Sequence, residues 1–217
     1  MIITIDGPAG SGKSTIAKML SERLSIHFLN TGAMYRAVTF FLLQNKIDLN
    51  NEALVSESLK NIKINFQSER IFLNNRDVSV ETRMPEVEKF VSLVSAIKVV
   101  REKMVHLQRE IANDTDCVVE GRDTGSVVFP FATYKFYLDA SVEERANRRF
   151  KELKEKGLNV DFNEIKNEIE RRDKLDKSRE ISPLKVPDGA YIIDTTGLSI
   201  EEVMGKILNV INKKSVG

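Results

Sequence analysis

Apolar positions along this chain follow two periods that take turns. Met1-Ile2-Ile3-Thr4-Ile5-Asp6 is a nearly continuous apolar run, which predicts a strand buried on both faces. Ile16, Ala17, Leu20 and Leu24 then recur at helical spacing. Ile26-His27-Phe28-Leu29 predicts a second strand, and Met34, Val38, Phe41 and Leu42 line one face of a helix from about Ala33 to Gln44. Cys117-Val118-Val119-Glu120, Lys135-Phe136-Tyr137-Leu138 and Tyr191-Ile192-Ile193-Asp194 predict three more core strands. Val100, Met104, Leu107 and Ile111 stripe a helix from about Val99 to Ala112. Ser141 with Glu144 forms a capping box for a charged helix that stops at Gly157. Asp161 with Glu164 repeats the pattern for a helix running towards Arg172, and Ser199 with Glu202 boxes the last one. Five strands alternating with helices predict an α/β fold with a parallel sheet covered on both faces. Right-handed crossovers then place the loop after the first strand at the carboxyl edge of the sheet.

Residues from about 50 to 95 break this rhythm. A short helix, Glu52 to Lys60, leads to alternating Ile62, Ile64 and Phe66. A turn at Gln67-Ser68-Glu69 leads to Ile71-Phe72-Leu73, and Asn74-Asn75-Arg76 to Val78 and Val80. Short strands joined by tight turns predict a small antiparallel sheet, and Pro85 fits the first position of the next helix. The stretch reads as a subdomain inserted into a single domain spanning residues 1–217.

Composition narrows the class. With 33 basic and 32 acidic residues the formal net charge is +1, which argues against a general nucleic-acid binder. Cys117 is the only cysteine, so neither a disulfide framework nor a thiolate metal cluster is expected, and its place in Asp116-Cys117-Val118-Val119 suits a buried strand residue. Phe40-Phe41-Leu42-Leu43 is too short to span a membrane. A cytoplasmic protein without a signal peptide or membrane partner is the expectation. His27 and His106 stand apart from any nucleophile or metal constellation and are expected to be structural.

The chemistry sits in the first loop. Gly7-Pro8-Ala9-Gly10-Ser11-Gly12-Lys13-Ser14-Thr15 fits G-x-x-x-x-G-K-[ST], with a strand before it and a helix after it. Glycines let the backbone wrap a phosphate, and the helix turns its positive end towards that anion. Lys13 can reach the β- and γ-phosphates of a nucleoside triphosphate, and the Ser14 hydroxyl is placed for Mg²⁺. Arg36, Arg122, Arg171, Arg172 and Arg179 fall near ends of elements or in the charged run Arg171–Glu180. Transfer between two nucleotides gathers many negative charges, which guanidinium forks suit. Each feature also has a plainer reading. The charged run fits a solvated helix end or mobile loop, and Arg36 in a first helical turn fits either an anionic ligand or surface exposure. Asn45-Lys46-Ile47-Asp48 matches a guanine-recognition pattern, but it follows an apolar helix too early in the fold, and Asn45 reads as a helix cap. A kinase for another small acceptor such as shikimate, a nucleotide-dependent switch and a nucleic-acid motor are the competing classes.

Taken together, Gly7 to Thr15, Leu29-Asn30-Thr31-Gly32-Ala33-Met34-Tyr35-Arg36, Gly121-Arg122-Asp123-Thr124-Gly125 with Val127-Val128-Phe129-Pro130, and Arg172-Asp173 through Arg179 resemble the bacterial cytidylate kinases. The likeness runs over essentially the whole chain. The phosphate loop is generic to the superfamily, while the T-G-A-M-Y-R and G-R-D-T-G blocks are more specific. The resemblance implies a nucleoside monophosphate kinase fold with strand order 2-3-1-4-5, and transfer of the ATP γ-phosphate to CMP or dCMP. It implies that Thr31 and Arg36 hold the monophosphate side, that Arg122 and Arg179 clamp the acceptor phosphate, and that Ser92, Arg101 and Asp123 read the cytosine edge. Arg172 and Asp176 would contact the sugar or phosphate region, with Lys13, Arg122, Arg172 and Arg179 forming the catalytic set. Residues 50–95 would bind the monophosphate, and residues 143–180, including Arg145 to Lys156, would form a mobile lid. A monomer is expected. Asn30 stands where many relatives have Asp, and Lys98 where Pro is usual. Judged by its own surroundings in the sequence, Arg101 would be a surface helix residue and Ser92 a polar surface position.

Overall fold

The computed structural model describes residues 1–67 and 69–214. In chain order the elements are β1 (Ile2–Asp6), α1 (Lys13–Leu24), β2 (His27–Asn30), α2 (Thr31–Gln44), α3 (Glu52–Ser58), β3 (Ile64–Gln67), β4 (Arg70–Leu73), β5 (Arg76–Asp77), α4 (Pro85–Val94), α5 (Lys98–Ile111), β6 (Cys117–Gly121), β7 (Tyr134–Asp139), α6 (Val142–Glu155), α7 (Phe162–Ser178), β8 (Tyr191–Asp194) and α8 (Ile200–Lys214). They group into two compact units, one of residues 1–29 with 115–217 and one of residues 30–114.

The first unit is built on a five-stranded parallel sheet. Its order is β2-β6-β1-β7-β8, which differs from 2-3-1-4-5 as numbered along the chain. Three strands of a separate sheet intervene between β2 and β6, so the later members of the large sheet carry the numbers 6, 7 and 8. β1 lies at the centre, paired in parallel with β6 and β7. Ile3 and Ile5 share a face with Val118, Phe136 and Leu138, and this face packs against Ile16 and Leu20 of α1 and Val203 and Ile207 of α8. Burial of each such side chain contributes about 1.5–3 kcal/mol. The period of two sends Thr4 and Asp6 to the other face, where both are fully buried. Cys117 is buried as expected, and burial pushes its thiol up to about 12.

The second unit packs α2 against α4 and holds the antiparallel sheet β3-β4-β5. The expected turn at Gln67-Ser68-Glu69 includes Ser68, which lies outside the described residues. The strand expected at Val78 and Val80 is cut short. The Asp77 carboxylate accepts from the Ser79 N–H at 3.0 Å and from its hydroxyl at 2.6 Å, so the chain turns after Asp77. Val80 is left exposed. Asn30 caps α2 by accepting from the Ala33 N–H at 2.8 Å, so the helix starts two residues before the expected Ala33 and the amide does there what an aspartate would do. Ser141 and Asp161 cap α6 and α7 in the same way, accepting from Glu144 and Glu164. α7 does not end at Arg172 but continues to Ser178, because Ile169, Asp173 and Asp176 form an inward stripe at helical spacing. The charged run is therefore mostly an ordered helix.

Candidate active site

The site grows from the carboxyl ends of β1 and β6, neighbouring central strands. Gly7 leaves β1 with φ +148°, and a Cβ there would fall 2.0 Å from the Leu138 carbonyl oxygen. Only glycine permits that approach. Gly12, at φ 88°, caps α1 without a side-chain hydrogen bond, and the first turn of α1 carries no acidic residue. The helix therefore keeps its positive end available to an anion.

The loop is held from outside. Arg145 donates to the Ala9 carbonyl at 3.0 Å and to the Ala140 carbonyl at 3.0 Å. Its guanidinium also grips Asp173 bidentately, at 3.1 and 2.6 Å. The pair is buried. Thr195 donates to the Ser11 carbonyl at 3.3 Å. Arg145, with its partner Asp173, thus braces the phosphate loop.

Four cations gather beside the loop. The Lys13 ammonium donates to the Pro8 carbonyl at 2.6 Å. Burial, followed by the positive charges of Arg122 and Arg172, lowers its pKa to about 7, against the pull of Glu120 and Asp6. Arg122 donates to Asp176 at 3.0 Å, and Arg179 reaches the same carboxylate at 3.4 Å. Burial opposes both charges of the Arg122–Asp176 pair, yet the pairing prevails: the Arg122 pKa is raised and the Asp176 pKa lowered. Arg172 acts on both Lys13 and Asp176. The sequence-predicted Lys13, Arg122, Arg172, Asp176 and Arg179 therefore share one neighbourhood, although more than a hundred residues separate Lys13 from the rest. Thr15 lies exposed on α1. Asp123 is buried just after Arg122.

The sequence did not single out Glu120. It accepts from the Ser14 hydroxyl at 3.0 Å. A hydroxyl next to a carboxylate at a strand end fits a magnesium ion, which takes a few protein oxygens and keeps its waters. Nor does the sequence mark Asp6, which is fully buried. The available signal was position: each carboxylate directly precedes a glycine at the carboxyl end of a central strand.

In the second unit, Arg101 is not a surface residue. It is 2 % exposed, stacks its guanidinium 5.4 Å from the Tyr35 ring centre, and donates to the Ser95 carbonyl at 3.1 Å. Ser92 is buried as well, and its carbonyl accepts from the Ser95 hydroxyl at 3.0 Å. Thr31 is buried at the start of α2. Arg36 lies 3.8 Å from Glu88 with its side chain 11 % exposed, which rules out simple surface exposure. An open cavity of 460 Å³ beside Lys60, Ile64, Lys103 and Leu107 contains none of the predicted site residues. Among the described residues no group of three or more His, Cys, Asp or Glu is arranged to hold a metal ion, and no helix is long and apolar enough to cross a membrane.

The sequence profile described as cytidylate kinase matches residues 3–213. A cytidylate kinase from Caldanaerobacter subterraneus subsp. tengcongensis is 48% identical over 215 residues, 99% of this chain and 96% of its own. Another from Alkaliphilus oremlandii is 49% identical over 209 residues, 96% of each chain. Among solved structures, shikimate kinase from Acinetobacter baumannii in complex with shikimate aligns with a TM-score of 0.51 and 16% identity, over 100% of this chain and 95% of that one. At that identity the likeness concerns the fold alone. With a profile match over nearly its whole length and relatives near half identity, this chain belongs to the cytidylate kinase family.

Proposed function

We propose that this chain transfers the γ-phosphoryl group of ATP to CMP or dCMP, giving ADP and CDP or dCDP. Family membership over nearly the whole chain carries the choice of acceptor. The site supplies the chemistry: a glycine loop at a helix start without a side-chain cap, and four cations, three of which share the Asp176 carboxylate. Phosphoryl transfer asks the protein for position and charge compensation rather than covalent help. In this reading Gly7 to Thr15 bind the ATP phosphates and Lys13 follows the transferring group. Arg122, Arg172 and Arg179 offset the charge that accumulates between donor and acceptor, and Asp176 holds Arg122 and Arg179 in register. Ser14 and Glu120 would hold magnesium, which supplies further charge neutralisation at the β- and γ-phosphates. Thr31 and Arg36 serve the monophosphate, and Ser92, Arg101 and Asp123 the cytosine.

An ionised Asp123 only accepts hydrogen bonds, so it suits the cytosine amino group and opposes the uracil carbonyl. Residues 50–95 act as the monophosphate-binding subdomain and residues 143–180 as a lid. The protein works as a cytoplasmic monomer on small nucleotides, without nucleic-acid or membrane partners. An assay for ADP release, run in turn with CMP, dCMP, UMP, AMP, GMP and shikimate, tests the reading. CMP and dCMP should give the highest kcat/KM. Preference for any other acceptor would replace it.

A further inference from the structure

We infer that Asp6 is a positioning residue that locks the segment carrying Arg122 and Asp123 onto the strand that launches the phosphate loop. Asp6 ends β1, directly before Gly7, and is fully buried. One carboxylate oxygen accepts from the Thr124 N–H at 2.9 Å and from the Thr124 hydroxyl at 2.8 Å. The other accepts from the Gly125 N–H at 2.7 Å. A single side chain thus takes three hydrogen bonds from a segment 118 and 119 residues further along the chain.

That segment is the start of a single π turn, Thr124–Val128, in which the Phe129 N–H donates to the Thr124 carbonyl at 2.7 Å and the Val128 N–H to the Asp123 carbonyl at 3.3 Å. The Asp6 contacts and the π turn together fix the backbone on the C-terminal side of Arg122 and Asp123. On the N-terminal side β6 fixes it, with Gly121 in register with Asp6. Gly125 allows the close approach: a Cβ there would stand 2.7 Å from the Thr4 hydroxyl and 3.3 Å from the Asp6 carboxylate.

Three converging donors need a group that accepts at both of its oxygens. Among side chains of this length only a carboxylate does so. Burial raises the Asp6 pKa to about 6 in spite of these donors, so the charge is held at a cost. A neutral apolar residue would avoid that cost but would strand two buried N–H groups. The arrangement makes sense if the placement of Arg122 and Asp123 relative to the phosphate loop is what matters.

The test rests on the (d)CMP kinase reading and uses the full-length protein. In Asp6→Asn an amide N–H replaces one acceptor and faces a backbone donor. kcat/KM for CMP should fall by about 30-fold or more, while affinity for a non-hydrolysable ATP analogue without CMP changes by less than about threefold. Thr124→Val loses one of the three bonds and should fall by about 3–10-fold, whereas Thr124→Ser keeps the hydroxyl and should stay near wild type. The Thr124 pair carries the test if Asp6→Asn does not fold. Wild-type kcat/KM in Asp6→Asn would overturn the inference, as would an equal loss of ATP-analogue affinity, or Thr124→Ser as impaired as Thr124→Val. A wild-type protein that phosphorylates neither CMP nor dCMP would overturn the kinase reading and this inference with it. An active wild type with unaffected variants would overturn the inference alone.

Discussion

At pH 8, ATP binding should draw nearly one proton onto Lys13. Lys13 is 5 % exposed, and burial together with Arg122 and Arg172 brings its pKa down to about 7. Without nucleotide at pH 8, about one amine in ten then carries its proton. A polyphosphate in the loop replaces missing solvation with negative charge and should return the amine towards its ordinary value of 10.5. The bound state is then charged, and uptake is about 0.9 proton per ATP. The sign follows from the direction of the shift: the free state is proton-poor above pH 7 and the bound state is not, so ATP affinity contributed by Lys13 falls as pH rises from about 7 towards 10.5. Titration calorimetry at pH 8, in buffers of different ionisation enthalpy, gives the number of protons as a slope. Lys13→Met removes the titrating group, and its slope should be lower by about 0.9 proton. Wild-type uptake below about 0.3 proton, or equal uptake in Lys13→Met, would refute the assignment of Lys13 as a desolvated amine waiting for phosphate.

Arg145→Ala strands the Asp173 charge in a buried place, and urea denaturation should show a loss of about 3–5 kcal/mol. A loss under about 1 kcal/mol would mean that the pair does not hold the phosphate loop. Asp123→Asn offers a donor to the uracil carbonyl, so the preference for CMP over UMP, at least roughly tenfold in kcat/KM for wild type, should narrow, mainly by loss of CMP activity. An unchanged ratio in a folded variant would remove Asp123 from base recognition. Hydrogen exchange should slow in residues 50–95 and 143–180 when CMP and a non-hydrolysable ATP analogue are added together, since sequestering the reaction from water needs ordered segments. Equal exchange with and without ligands would count against both as substrate-responsive elements.

What could be read from the sequence was local. The phosphate loop, the start of α4 at Pro85 and the caps at Ser141 and Asp161 depend on residues at most a few positions apart. Spacing alone carries such signals. Arg101 could not be placed this way. A lone arginine on a polar helix reads as solvated, and the ring that covers it belongs to Tyr35, 66 positions earlier. The run Arg171–Glu180 was legible as a largely solvated helix end, but its inward stripe was not. Its alternating charges look like a wet surface, but Asp173 and Asp176 meet Arg145 and Arg122, which arrive from other elements. Glu120 and Asp6 were legible only as strand-end carboxylates. Their partners Ser14 and Thr124 lie more than a hundred residues away, beyond any periodicity. Val80 shows the opposite error. Two valines in alternation suggested a strand, and one Asx turn at Asp77 outweighed them.

In a (d)CMP kinase, phosphate leaves ATP and arrives on a cytidine monophosphate. Phosphorus NMR of the purified protein with ATP, CMP and magnesium observes both ends of that transfer in one tube. ADP and CDP signals should grow together in equal amounts, with inorganic phosphate well below either. Growth of inorganic phosphate with ADP, and no CDP, would contradict this activity.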